Sequence, residues 1–246
     1  MHSDARSPEA PITPLPRGLS HTASQIILIG GTFDPPHLAH TELAVEARRL
    51  AGSPGAFLLF VPAAQSPLKS AAPGASTPHR LEMLRLAIEG IPQSALWTDE
   101  IDRAAAHPGV PSFTIDTIRR LRSLLGQCAN LRLLIGADQA AGFHRWREPD
   151  AIIDLAPPLV MLRGSESSTP HLLRTLSATG RWSEKQLETW QRSIIATPLR
   201  DISSTQVRDL LRESPSSSTS TDPLTSVAPQ VLQYIRNHRL YQSPPS

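Results

Sequence analysis

Two histidines, His37 and His40, follow a pair of adjacent glycines at a spacing that suits phosphate binding. Residues three apart share one face of a helical turn, and imidazoles can donate hydrogen bonds to phosphate oxygens. Gly30 and Gly31 have no Cβ, so a ligand can approach the backbone closely. The first turn of a helix also presents unpaired N–H groups to an anion. The segment therefore predicts a phosphate site, although a glycine-rich turn with two incidental histidines has the same residues.

Metal binding by the same histidines is disfavoured, because no third ligand follows at metal-binding spacing and the chain has no cysteine pairs.

A second candidate anion site lies in residues 202–208, near the carboxyl end of the chain. Ser203 and Gln206 have the spacing of a capping box, which would begin a helix here. A helix start that also carries Ser204, Thr205 and Arg208 offers hydroxyl donors and a guanidinium to a phosphate. The capping function and the anion site are compatible, so both are predicted.

The elements that position these segments follow from short apolar runs alternating with helical patterns. Buried strands are predicted at residues 25–29, 56–61, 131–135, 158–162 and 193–196, with a short strand within 95–101. Strands separated by helices predict an α/β fold with a doubly wound, mostly parallel sheet. Ligands of such sheets bind beyond the carboxyl ends of the strands. The polar clusters at residues 30–40, 62–69, 136–138 and 201–208 each directly follow a predicted strand.

Composition narrows the class of protein. The 246 residues carry a net charge of only +2, and the basic residues are dispersed, so no nucleic-acid partner is expected. The single cysteine, Cys128, excludes internal disulfides and suits a reducing compartment. No apolar run is long enough to span a membrane, and the start has no apolar signal core. We therefore expect a cytoplasmic protein with no membrane partner.

The chain is expected to form one domain, residues 25–246, after a disordered tail at residues 1–24. A serine- and threonine-rich run at 214–226 is expected to be a mobile loop within that domain.

Residues 30–40, GGTFDPPHLAH, resemble the GG(S/T)FDPxHxGH signature of nucleotidyltransferases, with Ala39 in place of the usual glycine. Within that superfamily the chain looks most like the bacterial nicotinate-nucleotide adenylyltransferases. Residues 202–208, ISSTQVR, resemble the ISSTxxR motif by which that family contacts ATP. The similarity extends from about Gln25 to Tyr241. It implies a Rossmann-like fold of the nucleotidyltransferase type.

The resemblance also implies roles for individual residues. His37, His40 and Arg208 are expected to be catalytic through phosphate contacts. The expected ATP-binding residues are Gly30, Gly31, Thr32, Phe33, Asp138, Ile202, Ser203, Ser204 and Thr205, with Asp138 on a ribose hydroxyl. The expected acceptor-binding residues are Lys69, Thr114 and Trp146, and the tryptophan would stack on a pyridine ring. Phe113, Ser66 and Leu68 differ from the family pattern of tyrosine, proline and histidine at these positions.

The reaction implied by the family joins ATP to nicotinate mononucleotide and gives deamido-NAD and pyrophosphate. Mg²⁺ is expected as a cofactor, held mainly by the ATP phosphates and water. Two alternatives stay open: an adenylyl- or cytidylyltransferase acting on another phosphate acceptor, and a nucleotide-binding protein without catalysis. The sequence leaves open the oligomeric state and the preference between nicotinate and nicotinamide mononucleotide.

Overall fold

A computed structural model describes residues 13–19, 23, 25–64, 73–126, 129–162, 168–195, 202–213 and 226–242. Its strands are β1 (Ile26–Gly31), β2 (Phe57–Pro62), β3 (Ser94–Leu96), β4 (Leu131–Gly136), β5 (Pro158–Met161) and β6 (Ile194–Ile195). The α-helices of the described residues are α1 (Leu38–Leu50), α2 (Thr77–Ile88), α3 (Asp99–Ala106), α4 (Thr114–Leu125), α5 (Ala137–Ala141), α6 (Pro149–Leu155), α7 (Thr169–Ala178), α8 (Glu184–Ser193), α9 (Ser204–Glu213) and α10 (Pro229–Asn237). A short 3₁₀ helix spans Phe143–Arg145.

The strands form one sheet in the order β3-β2-β1-β4-β5-β6, and every neighbouring pair is parallel. The predicted α/β fold with a doubly wound sheet is therefore confirmed. The strand order reverses between β1 and β4, the point at which parallel sheets open a crevice for ligands.

Both faces of the sheet are buried, which explains why β1 is apolar at consecutive positions. Ile26 and Leu28 pack into one core cluster with the tryptophans Trp97 and Trp190. Their neighbours Ile27 and Ile29 join a separate cluster on the opposite face. Side chains alternate between the faces of a strand, so an unbroken apolar run is needed to supply both clusters.

The segment 95–101 contains more than the predicted short strand. After β3, the chain enters α3 at Asp99, and acidic residues in the first turn of this helix complement its positive end. The carboxylate of Asp99 is fully buried and paired with Arg103 and Arg120.

Residues 13–19 differ from the predicted disordered tail. The Thr13 hydroxyl donates to Asp102, the Trp97 indole donates to the carbonyl of Pro14, and Leu19 is buried in the core. These specific contacts order a segment whose proline-rich composition suggested a free tail, so the prediction is wrong for these seven residues. Residues 1–12 and all of 214–226 except Ser226 lie outside the described residues. No helix among the described residues is long and apolar enough to cross a membrane.

Candidate active site

A cleft of about 830 Å³ opens at the carboxyl ends of β1 and β4, where the strand order reverses. This volume lies within the usual range for small-molecule sites. We call it the sheet-edge cleft. Its lining includes the following predicted site residues: Gly30, Gly31, Thr32, Phe33, His40, Thr114, Asp138, Trp146, Ser204, Thr205 and Arg208. The tertiary structure thus brings residues of both motifs, together with the predicted acceptor residues Thr114 and Trp146, to one cavity.

His40 is held in a defined orientation at the start of α1. Its Nδ1 accepts a hydrogen bond of 3.2 Å from the backbone N–H of His37. Its ring stacks on that of His37 at 3.8 Å and meets the edge of Phe33 at 5.1 Å. Because Nδ1 acts as an acceptor, a neutral His40 ring carries its proton on Nε2. His40 is among the residues that line the sheet-edge cleft.

His37 has a different position from the one predicted. Only 3% of its surface is exposed, and it is not among the residues that line the sheet-edge cleft. It is the N-cap of α1 and supports the ring of His40 from behind. Direct contact between His37 and phosphate stays a prediction.

Asp34 connects the first motif to distant parts of the chain. Its carboxylate accepts hydrogen bonds from the backbone N–H groups of Gly74 (2.6 Å) and Ala75 (3.0 Å). It also accepts one from the hydroxyl of Tyr241 at 2.7 Å. Burial and the nearby Asp34 carboxylate raise the pKa of the Tyr241 phenol, so this hydroxyl remains a donor. Only 3% of Asp34 is exposed, and these donors offset the cost of burying its charge.

A buried arginine fixes the other side of the glycine-rich loop. Arg80, 1% exposed, donates from Nη1 to the carbonyl oxygens of Thr32 and Ala63, each at 2.8 Å. Burial lowers its pKa, whereas the charge of Asp34 raises it. Arg80 thus joins the loop after β1 to the loop after β2.

The second motif begins α9 as the sequence predicts. Ser203 and Gln206 form the reciprocal capping bonds, with N···O distances of 2.7 and 3.2 Å. The hydroxyl of Ser204 donates to the carbonyl of Pro35 at 2.9 Å. Arg208 donates from Nη1 to the Asp34 carbonyl at 2.6 Å. The two motifs are therefore bonded to each other, and both helix N-termini lie at the same cleft.

Arg208 keeps donors for a ligand. Besides its bond to Asp34, it donates from Nη2 to Thr205 Oγ1 at 3.1 Å. An arginine has five N–H donors, and these two contacts occupy only part of them.

One side of the cleft is formed by Phe113, Thr114, Trp146 and Arg147. We call it the aromatic wall, after the rings of Phe113 and Trp146. The Trp146 ring stacks on Phe143 at 4.8 Å, and Phe143 in turn contacts Trp190 in the core. This backing fixes the plane of the indole. The wall offers a flat apolar surface of the kind that binds planar rings.

Glu100 lines the cleft near this wall and belongs to a polar network below it. Its Oε1 accepts from the Thr117 hydroxyl at 2.9 Å, and Thr117 Oγ1 accepts from Arg103 at 2.7 Å. Burial raises the pKa of Glu100 to about 7, against the lowering effects of Thr117 and Arg103. The nearby carboxylates of Asp99 and Asp116 raise it further.

Some predicted residues are not brought to the cleft. Ile202 packs against two core clusters, and Ser203 serves as the helix cap; neither is among the lining residues. Lys69, with Ser66 and Leu68, lies outside the described residues. The Ala39 side chain is fully buried in the same core cluster as Phe33 and is not among the lining residues, so its methyl group does not narrow the cleft.

Comparisons with known proteins agree with this geometry. Residues 28–210 match the family model described as Cytidylyltransferase-like. A protein of Stenotrophomonas maltophilia (strain K279a), named "Probable nicotinate-nucleotide adenylyltransferase", is 36% identical over 228 residues. The match covers 89% of this chain and 97% of that relative. A protein of Marinobacter nauticus with the same name is 38% identical over 189 residues, covering 74% of this chain and 83% of the relative.

This chain belongs to the nicotinate-nucleotide adenylyltransferase family. Among solved structures, the nicotinic acid mononucleotide adenylyltransferase of Plasmodium falciparum, complexed with NaAD, matches with a TM-score of 0.63. The match covers 88% of this chain and 97% of that one, and at 17% identity it supports the fold alone.

The sequence analysis missed four residues that shape the site: Asp34, Arg80, Glu100 and Tyr241. A signal existed for Arg80, because it shares the apolar face of α2 with Met83 and Leu84, where an arginine is unexpected. Asp34 lies within the first motif, but its hydrogen-bond partners are far away in the sequence. Its role in fixing the loop is therefore visible only in the tertiary structure.

Proposed function

We propose that this protein transfers the adenylyl group of ATP to nicotinate mononucleotide, giving deamido-NAD and pyrophosphate in NAD biosynthesis. The observation that carries the proposal is the meeting of three features at one cleft. These are the α1 start with His40, the α9 start with Arg208, and the aromatic wall with Trp146. Two helix N-termini suit a polyphosphate, and the wall suits a flat aromatic acceptor.

In the reaction, an oxygen of the acceptor 5′-phosphate attacks the α-phosphorus of ATP in line. The bond from that phosphorus to the bridging oxygen breaks, and pyrophosphate leaves with the electron pair. The attacking phosphate is already ionised near neutral pH, so no general base is required. The protein acts by holding the reactants in position and by stabilising negative charge.

His40 stabilises the transferring phosphate through its Nε2 proton. The hydrogen bond from the His37 backbone to Nδ1 sets the proton of the neutral ring on Nε2, and the contacts with His37 and Phe33 fix the ring. A donor fixed before the reaction needs no reorganisation as charge develops.

Arg208, with Ser204 and Thr205, binds the departing β- and γ-phosphates at the start of α9. Each helix terminus contributes roughly 0.3–1 kcal/mol toward an anion. That is small for a triphosphate, so the side-chain cations and a bound ion must supply the remaining neutralisation.

Mg²⁺ is proposed to enter with ATP. No group of three or more His, Cys, Asp or Glu side chains is placed to hold a metal within the described part of the chain. The oxygens of Asp34 already accept from Gly74, Ala75 and Tyr241. Mg²⁺ is commonly bound through substrate phosphates and water, and there it would neutralise part of the triphosphate charge.

The acceptor is proposed to stack its pyridine ring on Trp146, with Thr114 beside it on the same wall. Asp138, exposed at the start of α5, is available to accept a hydrogen bond from a ribose hydroxyl. Contact of His37 with a phosphate and of Lys69 with the acceptor stay predictions.

The test is pyrophosphate release with ATP and Mg²⁺ against nicotinate mononucleotide, nicotinamide mononucleotide, phosphopantetheine and glycerol phosphate. We expect rapid release with nicotinate mononucleotide. Release with phosphopantetheine or glycerol phosphate alone would overturn the acceptor assignment and keep the chemistry. ATP binding without pyrophosphate release for any acceptor would indicate a nucleotide-binding protein that has no such catalytic activity.

A further inference from the structure

Tyr241 is a buried residue close to Arg208 that the proposed reaction does not use. It is 8% exposed and is not among the residues that line the sheet-edge cleft. A Cβ on Gly74 would lie 3.3 Å from the Tyr241 ring and 3.4 Å from Arg208 Cδ, so the ring and the arginine stem meet at this glycine. Tyr241 can therefore act on Arg208 from outside the space that a ligand would fill.

Arg208 faces two acceptors on the same residue, Asp34. Its Nη1 donates to the Asp34 carbonyl at 2.6 Å, and the same nitrogen lies 3.8 Å from the carboxylate oxygen Oδ2, beyond hydrogen-bond distance. A shift of about 1 Å would convert this second approach into a direct ion pair of ordinary length. In that pair the guanidinium would be committed to Asp34, and fewer of its donors would reach a phosphate in the cleft.

The donors that the Asp34 carboxylate already has decide how strongly it attracts Arg208. Oδ2 accepts from the Gly74 N–H at 2.6 Å, and Oδ1 accepts from the Ala75 N–H at 3.0 Å and from the Tyr241 hydroxyl at 2.7 Å. Without the phenol, Oδ1 would keep only the longer of its two bonds. A buried carboxylate that lacks donors is costly, so it would draw in the nearest donor that can move.

That donor is Arg208 and not Arg80, the other arginine whose charge acts on this group. Arg80 is 1% exposed, and its Nη1 is bonded to the carbonyl oxygens of Thr32 and Ala63. It is therefore fixed in the core. The side chain of Arg208 is 23% exposed at the cleft and is free to turn.

We propose that Tyr241 is a positioning residue, which satisfies the Asp34 carboxylate and thereby leaves Arg208 available to the β- and γ-phosphates of ATP. The inference deepens the proposed function and rests on its assignment of Arg208 to those phosphates. Tyr241 itself touches no substrate. Its effect is to remove a competitor for the guanidinium.

The experiment measures the dissociation constants of ATP and AMP, each with Mg²⁺, for the wild-type protein and Y241F by calorimetry. AMP lacks the β- and γ-phosphates, so its binding does not depend on Arg208. We expect Y241F to weaken ATP binding on the order of threefold to tenfold, part of the effect of losing a hydrogen bond to a charged group, and to leave AMP binding unchanged. Y234F removes a phenol hydroxyl that bonds His79, and it should change neither constant.

A double-mutant cycle tests whether Tyr241 acts through Arg208. R208Q alone should weaken ATP binding on the order of tenfold or more. Adding Y241F to R208Q should then cause no further loss, because the residue that Asp34 would capture is already absent. In steady-state pyrophosphate release, Y241F should raise KM for ATP and leave KM for nicotinate mononucleotide unchanged.

G74A provides a second route that keeps the Tyr241 hydroxyl. Its added methyl group would displace the stem of Arg208 or the Tyr241 ring, so ATP binding should weaken and AMP binding should not. Thermal unfolding of each variant shows that the measurements are made on folded protein.

Three results would overturn the inference: equal weakening of ATP and AMP in Y241F, unchanged ATP binding in Y241F, or additive losses in the double variant. The first would mean that Tyr241 supports the cleft as a whole. Failure of the proposed function has a different signature, because the wild-type protein would then release no pyrophosphate with nicotinate mononucleotide. The binding measurements need no acceptor and would still test Tyr241.

Discussion

Tyr241 donates a hydrogen bond of 2.7 Å to Asp34, a residue 207 positions earlier in the chain. The bond joins the segment after α10 to the first motif, and Arg208 donates to the backbone carbonyl of the same aspartate. The carboxyl-terminal region therefore packs in the core and also fixes the loop that precedes His40.

Tyr241→Phe should lower the free energy of unfolding by about 1.5–3 kcal/mol, the range for a hydrogen bond to a charged group. The physical reason is that the buried Asp34 carboxylate loses one of three donors. Urea denaturation at neutral pH measures the change.

Tyr234→Phe is the matched control, because the Tyr234 hydroxyl bonds His79 on the partly exposed outer surface. Its loss should be below about 1 kcal/mol. Equal effects of the two substitutions would show that Asp34 does not depend on Tyr241.

Gly31→Ala and Gly30→Ala should affect different properties. The first should lower the stability of the fold, and the second should weaken ligand binding. A Cβ on Gly31 would lie 3.0 Å from the Phe33 ring, whereas nothing lies within 4 Å of one on Gly30. Gly31→Ala should therefore destabilise the free protein by about 1–3 kcal/mol, the usual cost of overpacking. Gly30→Ala should leave stability within about 0.5 kcal/mol and weaken ATP binding, because its methyl group enters the cleft. Thermal unfolding and ATP titration check both results, and the reverse ranking in stability would contradict the packing at Phe33.

His40→Asn and His40→Gln should differ in kcat. Asparagine can keep an acceptor near Nδ1 for the His37 backbone, and glutamine can keep a donor near Nε2. If Nε2 stabilises the transferring phosphate, His40→Asn should lower kcat on the order of a hundredfold or more. His40→Gln should retain more activity. Steady-state pyrophosphate release measures both, and a near-normal kcat for His40→Asn would remove His40 from the mechanism.

Glu100→Gln should change how stability depends on pH. The pKa of Glu100 is about 7 in the folded protein, against a reference of 4.5. Below about 4.5 the carboxyl is protonated in both states and costs nothing. As pH rises from 4.5 to 7 the unfolded state loses the proton first, so the wild-type protein loses stability.

Glutamine stays neutral, so the stability of Glu100→Gln relative to wild type should increase between pH 4.5 and 7 and then level off. Urea denaturation across pH 4.5 to 8 measures this difference. A difference that does not vary with pH would show that the Glu100 carboxyl titrates normally.

Much of the fold could be predicted because it depends on local patterns. The strand β1 is apolar at successive positions, since it must supply a core on each face of the sheet. The start of α9 was predicted from Ser203 and Gln206, which bond within four residues of each other. The helix α3 was missed where only a short strand was expected, because it buries the charged side chain of Asp99 and no apolar side chain fully.

The residues of the site also fall into two groups: those that local patterns in the sequence predict, and those that only the tertiary structure brings into place. By itself the sequence determined the family, the glycine-rich turn, the histidine pair and the second helix start, because each depends on residues close together in the chain. Only the tertiary structure decided that His40 faces the cleft while His37 lies behind it. It also decided that Asp34 meets Tyr241, and that Arg147 lies over Phe113. Contacts across 30 to 200 residues arise from how the helices pack on the sheet, and no local pattern records them.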